Sequence, residues 1–171
     1  ESILVGKAYT VMSREDIRKV IYLFCSEISI ALTGNKGVFD SKIAFVSTKD
    51  GNKEIFTSDF DGRNIKQVTS HKSITVSPAW SSDADHIAYT SYAAGNPDIY
   101  IYSMLESKVV SMVSKKGMNI TPEWLPDTFA LAATLSFSGD QEIYLILGSG
   151  EIKEPPLTSS WGIDISPSFS P

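Results

Sequence analysis

The chain has 171 residues, of which 42% are hydrophobic and 20% charged, as in an ordinary globular protein that can bury a core. Its formal net charge of −5 argues against binding nucleic acid through phosphates, which requires a basic face. The longest strongly apolar run, Val20 to Cys25, is too short to cross a bilayer, and the single cysteine excludes an internal disulfide.

The first forty residues predict a short edge strand at Ile3-Leu4-Val5 and then one helix. Ser13 is placed to cap the helix amino terminus, with Asp16 three residues later, and Gly34 is placed to end the helix in the left-handed conformation. The sequence therefore predicts a strand and a helix in residues 1–40, a remnant of an α/β domain.

The predicted helix has a wide apolar face. Residues at helical spacing form it: Ile17, Val20, Ile21, Phe24, Ile28, Ala31 and Leu32. Cys25 lies beside this face and is expected to be a buried thiol. Such a face must pack on something, so the helix either covers the rest of the chain or completes a domain whose earlier part lies upstream.

The rest of the chain, residues 41–171, contains an internal repeat. Three sets of markers recur at a spacing of 44 or 45 residues. They are Ile43-Ala44-Phe45, Ile87-Ala88-Tyr89 and Leu131-Ala132-Ala133; Glu54-Ile55-Phe56, Asp98-Ile99-Tyr100 and Glu142-Ile143-Tyr144; and Ser77-Pro78-Ala79-Trp80, Thr121-Pro122-Glu123-Trp124 and Ser166-Pro167-Ser168-Phe169. Three markers that hold one period indicate tandem structural units.

Each unit predicts four short strands separated by turns such as Asp61-Gly62 and Gly95-Asn96-Pro97. A four-stranded unit of about 40–50 residues is typical of a β-propeller blade. We therefore predict a mainly β chain with a partial propeller of about three blades, whose repeats start near residues 43, 87 and 131. The Pro-x-aromatic segment is expected to open the innermost strand, with Trp80, Trp124 and Phe169 between neighbouring sheets.

The sequence offers little chemistry for a catalytic or metal site. The two histidines, His71 and His86, and one cysteine do not have the spacing of a zinc site, so neither a metal nor a cofactor is expected. The segment from Asp59 to Gly62 is interpreted as a turn, because the distal Glu of a calcium loop is missing. Glu54, Asp98 and Glu142 recur at equivalent positions, which favours a structural role. No nucleophile with a base and an orienting group can be assembled, so the chain is not expected to be an enzyme.

The junction between helix and repeat resembles the TolB family. The resemblance rests on Gly6-Lys7-Ala8-Tyr9, the run from Leu32 to Phe39, Lys42-Ile43-Ala44-Phe45-Val46-Ser47, and Ser58-Asp59-Phe60-Asp61-Gly62. It covers essentially the whole chain. It implies an α/β domain followed by a six-bladed propeller, of which about three blades are present here. In two places the chain departs from the family pattern: Leu125-Pro126-Asp127-Thr128 replaces Ser-Pro-Asp-Gly, and Met118 stands where histidine is frequent.

The resemblance also implies a function. TolB proteins are non-enzymatic periplasmic proteins of the Tol–Pal system that bind the peptidoglycan-associated lipoprotein and other Tol proteins. They serve outer-membrane integrity and cell division, and colicins exploit them for import. Loops gather at the ends of propeller blades and carry function there. The partner-binding residues are accordingly expected in the loops before each Pro-x-aromatic segment, namely Thr75, Asn119, Thr121 and Asp164, with His71 and Met118 nearby.

Two other functions remain open from the sequence. The chain could be a propeller accessory domain of a prolyl-peptidase-like hydrolase, or a surface or carbohydrate-binding propeller with exposed aromatic residues on one face. An incomplete ring of blades would also leave two apolar faces uncovered, which predicts self-association through those faces.

Overall fold

The fold consists of one helix followed by short strands in three sheets. The structure, a computed structural model, describes residues 5–49 and 51–170. The helix is α1 (Arg14–Thr33), and the strands are β1 (Lys42–Ser47), β2 (Glu54–Asp59), β3 (Lys66–Gln67), β4 (Thr75–Trp80), β5 (His86–Ser91), β6 (Asp98–Ser103), β7 (Lys108–Val113), β8 (Asn119–Trp124), β9 (Ala130–Leu135), β10 (Glu142–Leu147) and β11 (Ile152–Lys153). The sheet orders are β1-β2-β3, β4-β5-β6-β7 and β11-β10-β9-β8. This arrangement confirms the mainly β partial propeller.

The chain forms two compact units. The first contains the described residues of Glu1–Ile43 together with Thr57–Lys66, and the second contains Ala44–Phe56 and Gln67–Pro171 as far as they are described. The first unit thus runs to Ile43 and also includes the tip of the β2–β3 hairpin. The division of the chain into two domains between residues 40 and 41 stays a prediction.

The limits of α1 agree with the capping residues in the sequence. The hydroxyl of Ser13 accepts a hydrogen bond from the Asp16 backbone N–H at 3.1 Å. Gly34 has a φ of 78° and donates its N–H to the Ile30 carbonyl oxygen at 2.9 Å. Of the predicted edge strand, Ile3 and Leu4 lie outside the described residues, and Val5 is not in a strand.

The apolar face of α1 is more exposed than predicted. Ile17, Ile21 and Leu32 are 45%, 52% and 67% exposed, whereas Ser26 is 2% exposed. Cys25 is half-buried rather than fully buried. The helix turns a different side, with Arg18 and Tyr22, toward the hairpin tip. Packing of the apolar face against a part of the domain that lies upstream stays a prediction.

Polar and aromatic side chains join α1 to the hairpin tip. An Arg18 guanidinium nitrogen lies 2.6 Å from a carboxylate oxygen of Asp59, and the Tyr22 hydroxyl donates to the Asp61 carboxylate. The Tyr22 and Phe60 rings meet edge to face with centroids 4.8 Å apart. The Asp59–Gly62 segment is thus a turn whose carboxylates are occupied by protein groups, as its sequence predicts.

This contact predicts a pH dependence. The hydrogen bond from Tyr22, aided by Arg18, lowers the pKa of Asp61 below its usual range. A carboxyl with a lowered folded-state pKa stabilises the fold above its unfolded pKa of about 3.9 and loses that contribution as pH falls further. Asp61→Asn should therefore destabilise the protein at pH 7 and progressively less below about pH 4.

Urea unfolding of the wild type and Asp61→Asn between pH 3 and pH 7 measures this dependence. The control is Asp140→Asn, since Asp140 is exposed in a loop of the other unit. A difference between wild type and Asp61→Asn that stays constant over the whole pH range would contradict the prediction.

The second unit is built around the middle strands of its blades. Ile87, Tyr89, Leu131 and Leu135 are completely buried. In the second and third sheets every strand pair is antiparallel, as expected for a chain that turns back at each hairpin. The core therefore lies along β5 and β9.

The aromatic residues of the repeat do not behave alike. Trp124 is 4% exposed and donates its indole N–H to the Ala79 carbonyl oxygen of the preceding sheet at 3.1 Å. Trp80 is half-buried against Ile55 and Tyr89. Both lie between sheets as predicted. Phe169 is 37% exposed and is not in a strand, so its place between neighbouring sheets stays a prediction.

Within the described residues, no helix combines the length and the hydrophobicity needed to cross a membrane.

Candidate functional site

Three strained turns of backbone lie at the Pro-x-aromatic segments, two of them in β4 and β8, the first strands of the second and third sheets. The residue before each motif proline has a left-handed backbone: φ is 54° at Ser77, 51° at Thr121 and 58° at Ser166. The pairing register shifts between Val76 and Ala79 in one sheet and between Ile120 and Glu123 in the next. These shifts are β-bulges, which accommodate a proline on an edge strand because its missing N–H is not needed there.

The preceding sheet stabilises each of the two later left-handed residues, Thr121 and Ser166. The Thr121 N–H donates to the Thr90 hydroxyl at 3.1 Å, and the Ser166 N–H donates to the Thr134 hydroxyl at 3.3 Å. Thr90 and Thr134 are essentially buried and occupy equivalent positions, 44 residues apart. The left-handed residues are thus held by contacts between blades.

The three Pro-x-aromatic segments line one shallow open pocket of about 220 Å³. Its walls are Ser77, Pro78, Thr121, Pro122, Glu123, Ser166 and Pro167. Burial raises the pKa of the Glu123 carboxyl above its ordinary value. The pocket presents hydroxyls and one carboxyl. The residues that the structure describes contain no group of three or more His, Cys, Asp or Glu side chains able to hold a metal.

The loops that lead into the bulges are anchored by buried carboxylates. We call residues 68–74, 114–118 and 154–163 the inter-blade loops. Glu54 is 3% exposed and accepts hydrogen bonds from the Thr69 hydroxyl and the Lys72 N–H, both at 2.6 Å. Glu142 accepts from the Thr158 hydroxyl at 2.7 Å and the Ser160 N–H at 3.2 Å. These two carboxylates hold the first and third inter-blade loops.

The middle inter-blade loop is held differently, because Asp98 has the shorter side chain. The Asn119 amide donates to the Asp98 carboxylate at 3.3 Å and to the Lys115 carbonyl at 2.8 Å, while its oxygen accepts from the Lys115 N–H at 3.1 Å. The predicted structural role of the recurring carboxylates is confirmed for Glu54, Asp98 and Glu142.

The structure places two of the six predicted partner-binding residues inside the protein. Thr75 and Asn119 are both 0% exposed. The Thr75 N–H donates to the Lys53 carbonyl at 2.8 Å, and the Asn119 N–H donates to the Pro97 carbonyl at 3.1 Å. Their side chains therefore cannot contact a partner on this surface directly. The Asn119 side chain instead positions the middle inter-blade loop through its hydrogen bonds with Lys115.

The other four predicted residues are half-buried at the same end of the blades. His71 forms a hydrogen bond through Nε2 with the Tyr89 hydroxyl at 2.9 Å, and Thr121 forms one with Thr134 at 3.1 Å. The Met118 N–H donates to the Ser136 hydroxyl at 2.8 Å, and the Asp164 N–H donates to the Gln141 carbonyl at 2.9 Å. Whether they bind a partner stays a prediction.

Sequence reasoning missed the most exposed side chains of these loops. Lys72 and Lys116 are exposed and lie 44 residues apart. Trp161, in the third inter-blade loop, is fully exposed. The sequence feature that could have identified the two lysines is their position in equivalent inter-blade loops. For Trp161 it was a tryptophan outside the Pro-x-aromatic segments.

Comparison with protein families agrees with the repeat. Residues 30–171 match the model of the family described as the TolB beta propeller domain. Among curated proteins, the chain is 53% identical over 83 residues to the Tol-Pal system protein TolB of Desulfosudis oleivorans and 44% identical over 78 residues to that of Geobacter sulfurreducens. These matches cover 48% and 46% of this chain but only 19% and 18% of the relatives' lengths.

Solved structures show the same fold. The crystal structure of TolB from Acinetobacter baumannii superposes with a TM-score of 0.77 at 30% identity, covering 94% of this chain and 41% of that one. A putative TolB from Agrobacterium tumefaciens superposes with a TM-score of 0.66 at 19% identity, over 74% of this chain and 46% of that one. The second likeness bears on the fold alone.

Proposed function

Because this chain belongs to the TolB beta propeller family, with which residues 30–171 align, we propose that it is a protein-binding part of the Tol–Pal system. Its curated relatives are named as Tol-Pal system proteins, which supports a role in that system. We propose the peptidoglycan-associated lipoprotein as the direct partner and the periplasm as the compartment. The proposed role is non-enzymatic and serves outer-membrane integrity and cell division.

The observation that carries this proposal is the rigid presentation of the inter-blade loops. Buried carboxylates fix the loop backbones, as Glu54 does for Thr69 and Lys72, while other side chains of the same loops remain exposed. Loops whose backbone is fixed before binding lose less conformational entropy on association. A surface of this kind suits recognition of a folded protein.

Direct binding tests the proposal. The full-length protein that contains this chain is immobilised, and the soluble domain of the peptidoglycan-associated lipoprotein from the same organism is titrated by biolayer interferometry. We expect a Kd of about 1 μM or tighter. His71→Ala and Asp164→Ala should each weaken binding by about fivefold or more, as truncations within an interface do.

The matched control is Glu106→Ala, an exposed side chain in the β6–β7 loop at the opposite end of its blade, which should leave the Kd unchanged. No binding by the wild type at concentrations up to about 100 μM would contradict the proposed partner.

A further inference from the structure

The first sheet has one strand fewer than the other two sheets. Its order is β1-β2-β3, whereas the second and third sheets have four strands each. By the 44-residue period, β1 is equivalent to β5 and β9, and each of those strands pairs on one side with a strand that carries a Pro-x-aromatic segment, β4 or β8. Among the described residues, no strand occupies that side of β1. The first sheet therefore lacks the strand at its inner edge.

The exposure of β1 agrees with a missing neighbour. Val46 is 36% exposed, whereas Thr90 and Thr134 at the equivalent positions are 1% and 0% exposed. Ser47 is half-buried and its counterpart Ser91 is completely buried, although both hydroxyls accept from the backbone N–H two residues later at 3.3 Å. An uncovered strand edge presents backbone N–H and C=O groups with which a further strand can pair. The edge of β1 is thus open to a further strand.

A segment of the missing kind lies beside the third sheet, in residues 164–169, which we call the unpaired segment. The Asp164 N–H donates to the Gln141 carbonyl at 2.9 Å, and the first residues of β4 and β8 make the same bond to the equivalent hairpins. Ser166 has a left-handed φ of 58° and donates its N–H to the Thr134 hydroxyl, as the equivalent residue of β8 does to the second sheet. The unpaired segment therefore has the backbone of an innermost strand, but no described strand pairs with it.

The second sheet separates the unpaired segment from β1 of the same chain. Ile87 and Tyr89 of β5 pack toward the first sheet. Ala88, between them, points to the other face and packs in the cluster that contains Trp124 of the third sheet. The same alternation in β9 places Thr134, which holds the unpaired segment, on the face of the third sheet that points away from the second. One chain therefore carries the two parts of a complete sheet at separate places.

We propose that two copies of this chain exchange these strands, so that the unpaired segment of each copy pairs antiparallel with β1 of the other and completes its first sheet. Addition of a strand to an open sheet edge is a common mode of protein association. The contact is head to tail, so each copy gives one strand and receives one. Two copies bring together six sheets, which lies within the range of about four to eight blades in closed propellers. The inference concerns association of the chain with itself and does not depend on the proposed function.

Phe169 supplies the apolar contact of this pairing. It is 37% exposed, whereas Trp124 at the equivalent position of β8 is 4% exposed and packs against the second sheet. In the exchanged pair, the Phe169 ring lies between the third sheet of its own copy and the completed first sheet of the other. Burial of this ring favours association.

The register of the exchanged strands follows from the complete sheets. In the second sheet, Thr75 lies opposite Ser91, and their hydroxyl oxygens are 3.3 Å apart. The equivalent residues of the exchanged pair are Asp164 of one copy and Ser47 of the other. Directly opposed residues of antiparallel strands have Cα atoms about 4.5–5.5 Å apart, which is within the span of a disulfide. Cysteines at these two positions should therefore link the copies.

Disulfide cross-linking between two differently substituted chains tests the exchange. Ser47→Cys and Asp164→Cys are made in separate 171-residue chains, each with Cys25→Ser, and are mixed at micromolar concentration and oxidised. We expect a covalent dimer from the mixture and little from either chain alone, because like positions of the two copies do not face each other. The matched control replaces Ser47→Cys by Leu105→Cys, at a residue that is 75% exposed and outside both strands, and it should not cross-link with Asp164→Cys.

Sedimentation equilibrium tests the association itself. The wild type should have twice the mass of one chain at micromolar concentration. Phe169→Asp should raise the dissociation constant of the dimer at least tenfold, because it places a carboxylate where the ring would be buried. Leu105→Asp makes the same change at an exposed residue and should leave the dissociation constant unchanged. Circular dichroism of every variant shows whether a loss of association is a loss of folding.

The outcomes decide the proposal without reference to the lipoprotein. A wild type that is monomeric up to about 100 μM overturns it. It is also overturned by a dimer that tolerates Phe169→Asp, or by one whose Ser47→Cys and Asp164→Cys chains do not cross-link. Species larger than two chains would contradict reciprocal exchange. Selective cross-linking of the mixture, together with dissociation by Phe169→Asp, supports it.

Discussion

Replacing Trp124 by alanine should lower the free energy of unfolding by about 3–5 kcal/mol, the largest effect expected of any single truncation here. The side chain is 4% exposed and packs in a cluster with Leu131, Leu135 and Ala79. Its indole N–H donates to the Ala79 carbonyl of the neighbouring sheet, so the truncation removes a hydrogen bond as well as creating a cavity.

Urea unfolding followed by far-ultraviolet circular dichroism measures this change. Trp161→Ala is the matched control, because Trp161 is fully exposed and its loss should change the stability by no more than about 0.5 kcal/mol. Equal losses for the two variants would show that Trp124 does not join the sheets as described.

Glu54→Ala should destabilise the protein by about 3 kcal/mol, because it leaves the buried Thr69 hydroxyl and the partly buried Lys72 N–H without their acceptor. The Thr69 hydroxyl and the Lys72 N–H both donate to this carboxylate, and Thr69 also accepts from the Ile55 N–H at 2.9 Å. The substitution therefore weakens hydrogen bonds both in the first inter-blade loop and in β2. Glu54→Gln keeps the shape and part of the hydrogen bonding, so we expect about half that loss.

The hydrogen-exchange rate of the Lys72 amide reports directly on its hydrogen bond to Glu54. The amide of Lys72 should exchange much faster in Glu54→Ala than in the wild type, since it loses its acceptor. Glu106→Ala, at an exposed carboxylate, should change the stability by about 0.5 kcal/mol or less. An unchanged exchange rate at Lys72 would contradict the proposed hydrogen bond to Glu54, even if the variant were less stable than the wild type.

Of the two positions with the largest expected stability effects, Glu54 lies next to the inter-blade loops, whereas Trp124 ends β8 at the opposite end of its blade, beside Phe129. Trp124 joins the second and third sheets, and Glu54 fixes the loop that carries Lys72. Substitution of Glu54 would therefore disturb the first inter-blade loop indirectly. Tests of partner contact are therefore better made at exposed positions such as Trp161, where a loss of binding is separable from a loss of fold.

Local rules in the sequence determined the elements of the chain. The 44-residue period sets the number and order of the blade strands, because each unit repeats the same alternation and turns. Ser13 and Gly34 fix the ends of α1, because capping depends on residues within one turn. The structural role of Glu54, Asp98 and Glu142 also follows from their recurrence in every unit.

Only the tertiary structure decided which side chains face outward. The bulges at Ser77 and Thr121 shift the register of β4 and β8, so strict alternation along the strand cannot be extrapolated to Thr75 or Asn119, which are buried. In α1, the apolar pattern identified an apolar face but not the partner that Arg18 finds in Asp59, 41 residues along the chain. Contacts between residues so far apart depend on how the sheets and helix are assembled, which no local pattern encodes.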